Sequence, residues 1–243
     1  MASFLDLAFA HRSIRAFTDE PVAEEDLRRA VLAGQAASTS GAIQAYCAIR
    51  IRDDATRSRL VDLTGGQPTV ASAGAFFVLC GDTRRHRLAL ESRNAPHRAR
   101  LEGFLLAVID ATLFAQNFAL ALESMGYGVC YIGGLRNNLP EVDRLLAIPA
   151  GVYPLYGMCV GRPAQTPNPR PRIDPRAVLF DDAYPSDDAM RDLMAEYDAR
   201  YERYLMERGA TPRSWSDVMA RKFAEPRRAD LAEYYTRKGA DLS

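Results

Sequence analysis

Alternating helical and strand-like runs around one long apolar segment predict an α+β or α/β sandwich for this 243-residue chain. Three observations carry that expectation. Residues 101–125 are apolar on almost every face, as in a helix enclosed by other elements. Short runs of strand-forming residues at 46–51, 75–80, 129–132 and 153–160 lie before and after it. Beyond Gly161 the sequence turns to proline and arginine, so regular structure stops there.

Taken in order, Glu24-Glu25-Asp26 suits a helix N-terminus, and Leu27, Ala30, Val31, Leu32 and Ala36 recur at helical spacing. This predicts an amphipathic surface helix over 24–36. Residues 46–51 and 75–80 read as buried strands ending in polar turns at Arg52-Asp53-Asp54 and Gly81-Asp82. The segment 101–125 has the length of a membrane span. Glu102, Asp110, Gln116, Asn117 and Glu123 lie within it, at depths that argue against lipid, so it is read as the central core helix. Gly126 ends that helix. A third strand then runs into Gly133-Gly134, and a short helix near 141–146 precedes the fourth strand. Pro163, Pro167, Pro169, Pro171 and Pro175 make an extended crossing segment. Charged amphipathic helices around 190–205, 215–223 and 231–237 form an appendage suited to a lid or to gripping a partner subunit. The expected division is a main core over 1–165 and a completing segment over 166–243, one structural domain overall.

Lys plus Arg equals Asp plus Glu at 31 each, so the global field that draws proteins to nucleic acid or acidic membranes is missing. Cys47, Cys80, Cys130 and Cys159 are far apart in sequence, in apolar surroundings, and read as reduced core residues. Residues 1–7 lack a secretory signal, which points to the cytoplasm. Of the three histidines, His86 and His97 lie in an arginine-rich stretch without ligand-spaced partners, so no metal site is expected.

The densest chemical cluster is His11-Arg12-Ser13-Ile14-Arg15, a phosphate or flavin clamp or simply a solvated basic turn. In Tyr131-Ile132-Gly133-Gly134-Leu135-Arg136-Asn137, glycines directly after a strand let backbone N–H groups approach a planar ligand or an anion; an ordinary strand-to-turn connection reads the same way. Arg170 and Arg172 point the same way if their segment is extended, and two guanidiniums can fork a phosphate; arginines between prolines also keep loops soluble. Ser38-Thr39-Ser40-Gly41 and Gly65-Gly66-Gln67 can offer hydroxyls and an amide, or merely form loops. A dinucleotide Gly-x-Gly-x-x-Gly after a strand, a P-loop, a Gly-x-Ser-x-Gly elbow and His-Glu-x-x-His are all missing from the sequence.

Together, His-Arg-Ser-Ile-Arg at 11–15, Gly-Gly-Gln at 65–67, the glycine stretch at 131–137 and the arginines after Pro169 resemble the oxygen-insensitive NADPH nitroreductases and NADPH–flavin oxidoreductases of the FMN-dependent nitroreductase superfamily. The likeness runs over almost the whole chain, including Arg208-Gly209 and Trp215-Ser216-Asp217. It implies an α+β fold with a mixed or antiparallel sheet surrounded by helices, a C-terminal helical extension, and a homodimer with two non-covalent FMN molecules at its interface.

By the same resemblance His11, Arg170 and Arg172 would hold the FMN phosphate, and Ser13, Thr39 and Gln67 would bond the ribityl chain or ring edge. Arg15 would face the pyrimidine, where a fixed cation stabilises the reduced flavin. Arg12, Ile14 and Tyr131 complete the cofactor set, with the backbone of Ile132, Gly133 and Gly134 beside the ring. Arg208, helped by Arg213, would anchor NADPH, with NADH as a possible donor. No protein catalytic residue is expected, because FMN carries the chemistry. The implied activity is two-electron, ping-pong reduction of nitroaromatics, quinones or flavins. The alternatives are a dedicated NADPH:FMN reductase and a non-catalytic flavin-binding redox sensor. Three departures stand out: a shorter link between Arg208 and Trp215, a changed stretch over 225–230, and Gly41-Ala42 where relatives carry bulkier residues, which suggests a roomier acceptor site.

Overall fold

A computed structural model describes residues 3–242. In chain order the elements are α1 (Phe4–Ala10), α2 (Glu24–Gln35), β1 (Tyr46–Ile51), α3 (Asp54–Leu63), α4 (Thr69–Ser72), β2 (Ala75–Asp82), α5 (Arg84–Glu91), α6 (Arg100–Ser124), β3 (Gly128–Ile132), α7 (Leu139–Leu146), β4 (Val152–Gly161), α8 (Asp187–Glu207), α9 (Trp215–Phe223) and α10 (Leu231–Arg237). They form two compact units. The first runs to Pro167 and includes Asp230 onward, and the second spans Asn168–Ala229. A single completing segment from 166 was expected; instead α10 belongs with the core.

The sheet has the order β1-β2-β4-β3, and each neighbouring pair is antiparallel, which resolves the fold class to α+β. β2 is buried along its whole length, so its side chains serve two cores in strict alternation. Phe76, Val78 and Cys80 pack with Leu60 and Leu63 of α3 and Val142 of α7. Ala75, Phe77 and Leu79 pack with α6, through Ala107, Ala111, Phe114, Ala115, Phe118, Ala119 and Leu122, and with Leu27 and Ala30 of α2. Aromatic rings link the layers: Tyr46 stacks on Phe114 at 4.7 Å and Phe77 meets Phe118 edge-on at 5.3 Å.

Several expectations are corrected. Gly81 and Asp82 are the last residues of β2 rather than a turn, because α6 lies so close there that a Cβ on Gly81 would come within 3.0 Å of the Ala107 Cβ. The helices α3 and α5 were not anticipated. The first starts at the Asp53 side chain, which accepts the Thr56 N–H, and the second is arginine-rich with no buried residue. The central helix has the length and hydropathy of a membrane span, yet Asp110 within it is 1% exposed and accepts the N–H groups of Ser40 and Ala45 at 3.4 and 3.0 Å. It is not enclosed on every side: Leu101, Leu105, Ile109 and Leu113, one turn apart, are exposed. The four cysteines are free, but they pair in register across strands, Cys47 with Cys80 and Cys130 with Cys159.

The C-terminal helix is fastened by a buried ionic clasp. Lys238 Nζ donates to Asp143 Oδ2 at 2.8 Å and to Ile148 C=O at 2.7 Å, and the Tyr234 hydroxyl donates to Asp143 Oδ1 at 2.8 Å. Removing one partner of a buried pair strands the other charge, so Lys238→Ala is expected to lower stability by about 3 kcal/mol in urea unfolding. Burial pushes the nearby Tyr235 phenol up from 10.0 to about 12. A neutral phenol held in the fold contributes stability below the unfolded value, and that contribution is lost as pH rises through the folded one. Denaturant midpoints should therefore fall as pH rises from 10 to about 12, and Tyr235→Phe should remove that part of the fall.

Candidate active site

The N-terminal segment reaches the sheet through its backbone. Ser13 forms a parallel bridge with Val129, the Ile14 N–H donates to Val129 C=O at 3.0 Å, and Phe17 bridges Pro163. Ser13 and Ile14 thus meet the outer edge of β3, and residues 16–18 pair with residues 162–164 just beyond the end of β4. Ile14 is buried against Gly128, where a Cβ would come within 2.6 Å of Ile14 Cγ1. With Ile14 turned inward, Ser13 and Arg15 point to the opposite side.

Arg15 is fixed by its main chain. Thr69 Oγ1 donates to its C=O at 3.2 Å. The Gln165 side-chain carbonyl, oriented to satisfy its surroundings, accepts the N–H groups of Arg15 and Ala16 at 3.0 and 3.2 Å. The exposed guanidinium is close enough to β3 to act on Cys130: burial pushes that thiol up, and the Arg15 charge opposes the shift. His11 closes α1 and places Nδ1 2.7 Å from Glu123 Oε1 in the last turn of α6. Arg12 donates to the carbonyls of Ala10 at 2.7 Å and Pro167 at 3.3 Å, so here it braces the turn.

β3 delivers Tyr131 and Ile132 and then passes into a 3-10 turn at Gly133–Asn137. Ile132 is buried. Tyr131 is half-buried edge-on to Tyr156 at 5.4 Å, and burial, helped by Tyr156 and Glu123, pushes its phenol well above the ordinary range. Gly134 meets the loop after α3: a Cβ there would lie 2.3 Å from Thr64 O and 2.4 Å from Gln67 Nε2. Gln67 itself donates to Thr64 C=O at 2.8 Å, and it follows Gly65 and Gly66, both in the left-handed region.

The fold therefore gathers Ser13, Arg15, Gln67 and Tyr131–Gly134, with His11 and Arg12 adjoining. Thr39 lies elsewhere. Its hydroxyl accepts the Gln44 N–H at 3.0 Å, on the loop that Asp110 anchors. Asp110 and Glu123 are thirteen residues apart on α6 (123 − 110), about 20 Å of helix. Arg170 and Arg172 are in the second unit, exposed, on either side of Pro171, whose carbonyl accepts the Tyr197 hydroxyl at 2.9 Å. Arg208 ends α8, donates to the Tyr204 hydroxyl at 2.7 Å and lies over that ring; Arg213 is exposed on the link to α9.

Sequence reasoning missed the supports: Thr69, Gln165, Asp110 and Glu123. In sequence the last two read only as charges unsuited to lipid. A carboxylate on an otherwise apolar helix is also a sign of a buried partner, and that signal was there to read.

The sequence pattern of the nitroreductase family matches residues 8–162, and that of the nitroreductase family C-terminal domain matches residues 170–243. The chain belongs to the nitroreductase family. Among relatives, it is 39% identical over 242 residues to an oxygen-insensitive NADPH nitroreductase of Salmonella typhimurium, covering 98% of each. It is 38% identical to an FMN reductase (NADPH) of Bacillus subtilis, again covering 98% of each. A solved nitroreductase from B. subtilis superposes with a TM-score of 0.94 at 38% identity, covering 98% of this chain and 99% of that one. The α+β fold found here is thus the family's fold.

The two adjacent glycines at the turn make opposite demands. Gly134→Ala forces a methyl into the Thr64 carbonyl and should cost about 1–3 kcal/mol. In Gly133→Ala the nearest atom is the far end of Arg136 at 3.4 Å, so its thermal midpoint should match that of the parent.

Proposed function

We propose that this chain is an FMN-dependent NAD(P)H oxidoreductase that passes two electrons to nitroaromatics, quinones or flavins. The observation that carries this reading is the backbone cradle at Gly134, packed on Thr64 and Gln67 and continued by Ser13 and Arg15 along β3. Without a side chain, Gly134 packs directly on the Thr64 carbonyl, which fixes the main chain that a flat ring would approach. Bound FMN supplies the ring that accepts and returns a hydride, so the protein needs no nucleophile of its own.

In this reading the chain's residues hold and tune. His11, Arg170 and Arg172 bind the phosphate, Ser13 and Thr39 the ribityl hydroxyls, and Gln67 the ring edge. Arg15 places its charge at the pyrimidine, and Ile132, Gly133 and Gly134 line the ring with main chain. Arg12 braces the turn after α1, Ile14 holds the strip to the sheet, and Tyr131 closes one side as a neutral phenol. Arg208 and Arg213 anchor the phosphates of NADPH.

The chain acts as a homodimer in this reading. The exposed stripe Leu101, Leu105, Ile109 and Leu113, with Phe4, Leu5 and Phe9 also exposed, is the apolar surface a second copy would cover. A second copy also explains why Thr39 stands so far from the cradle in its own chain. The proposed setting is the cytoplasm, in keeping with four free cysteines.

A dedicated FMN reductase is the second reading, favoured by the likeness to the FMN reductase (NADPH) of B. subtilis. Steady-state turnover of free FMN against a quinone separates the two.

Purified protein should show a flavin absorbance spectrum that NADPH bleaches under anaerobic conditions. A bound flavin that stays yellow with both NADPH and NADH would point to a sensor, and a colourless protein that takes up no FMN would overturn the reading. Arg15→Ala should weaken FMN binding about tenfold or more, as expected for loss of a charged hydrogen bond.

A further inference from the structure

Glu123 is placed where a carboxylate gains little from the helix that carries it. It is in the last turn of α6, where the unpaired carbonyl groups make the helix end negative. Its side chain is only 10% exposed, and Oε2 has no hydrogen-bond partner. Most buried polar side-chain atoms are hydrogen-bonded, so an unpartnered carboxylate oxygen calls for an explanation. Its one polar contact is Oε1 to His11 Nδ1 at 2.7 Å, across 112 residues of sequence.

We propose that Glu123 is a positioning residue for the phosphate clamp, an inference that rests on the FMN reading above. By holding the proton on His11 Nδ1, the carboxylate fixes the plane and direction of the imidazole, so that Nε2 is the nitrogen presented to an anion. With both nitrogens protonated, the ring donates from Nε2 to the phosphate while its charge is balanced from behind by Glu123. Among the described residues Nε2 has no protein partner. A cavity of about 210 Å³ adjoins the pair, lined by Leu7, His11, Arg12, Glu123, Gln165 and Thr166 among others. Arg12, Glu123 and Tyr127 are the titratable groups lining it with His11. Tyr127 is turned away, donating to Asp26 at 2.9 Å, and Arg12 is engaged by backbone carbonyls. That leaves Glu123 as the group in contact with the imidazole.

The test compares FMN with riboflavin, which lacks only the phosphate. Dissociation constants for both are measured by flavin fluorescence with the full chain, for the parent, Glu123→Gln, Glu123→Leu, His11→Ala and the double variant His11→Ala/Glu123→Gln. The parent should prefer FMN. Glu123→Gln, which keeps the shape and an acceptor but loses the charge, should lose about tenfold of that preference, and Glu123→Leu as much as His11→Ala, with riboflavin affinity unchanged. The double variant should lose no more than His11→Ala alone. A Glu123→Gln variant that keeps the full preference while His11→Ala loses it overturns the proposal and leaves the FMN reading standing. His11→Ala with the full preference overturns the proposal and leaves the FMN reading standing, and a parent that binds neither flavin overturns both. Nitrogen NMR of His11 in the FMN complex gives a check independent of any variant's folding: two protonated ring nitrogens support the proposal, and one overturns it.

Discussion

Four alanines one turn apart, Ala107, Ala111, Ala115 and Ala119, let α6 lie flat against the sheet, and most of what this protein can do follows from that close approach. Gly81 completes the fit from the strand side, and Gly34 from α2, where a Cβ would come within 2.7 Å of the Phe114 ring. With the helix axis so fixed, its three other faces acquire set directions. Asp110 reaches the loop at 40–45, Glu123 reaches the end of α1, and Leu101, Leu105, Ile109 and Leu113 look outward. A bulkier stripe would lift the helix and move the two carboxylates away from their loops together.

The candidate site is assembled from main chain more than from side chains. Ser13 and Ile14 join β3 by backbone bonds, Arg15 is gripped at its N–H and C=O, and Gly134 rests on the Thr64 carbonyl. Contacts made to main chain in this way do not depend on the rotamers of the ligand-facing side chains, so the site is preorganised before any ligand arrives. The side chains left over, such as Arg15 and the Nε2 side of His11, are then available for recognition.

Much of this was legible in the sequence, for physical reasons. The strands of the core are short runs of Val, Phe, Tyr, Ile and Cys, and α6 is apolar on many sides, so periodicity and composition suffice to find them. The motifs at 11–15, 65–67 and 131–134 carry glycines and cations whose uses are few. What escaped was held by tertiary contact. Helix α3 buries only Leu60 and Leu63, and α5 buries nothing fully, so neither writes a clear pattern. Gly81 looked like a turn because nothing nearby announces Ala107. The partnership of Glu123 with His11 crosses 112 positions, and no local rule reaches that far. The place of α10 in the core depends on Lys238 meeting Asp143, which is equally remote.

That last contact has a bearing on how the chain is made. The first unit needs Asp230 onward to complete it, and the second unit is encoded between its two parts. During synthesis the sheet can form once β4 has emerged, but Asp143 has no lysine to meet, and the Tyr153 and Phe104 rings no Tyr235 to pack against, until the end of α10 leaves the ribosome. Nascent chains halted before that point would display an unfinished core, a natural target for chaperones and proteases. Closure of the clasp therefore waits until the last helix has been made.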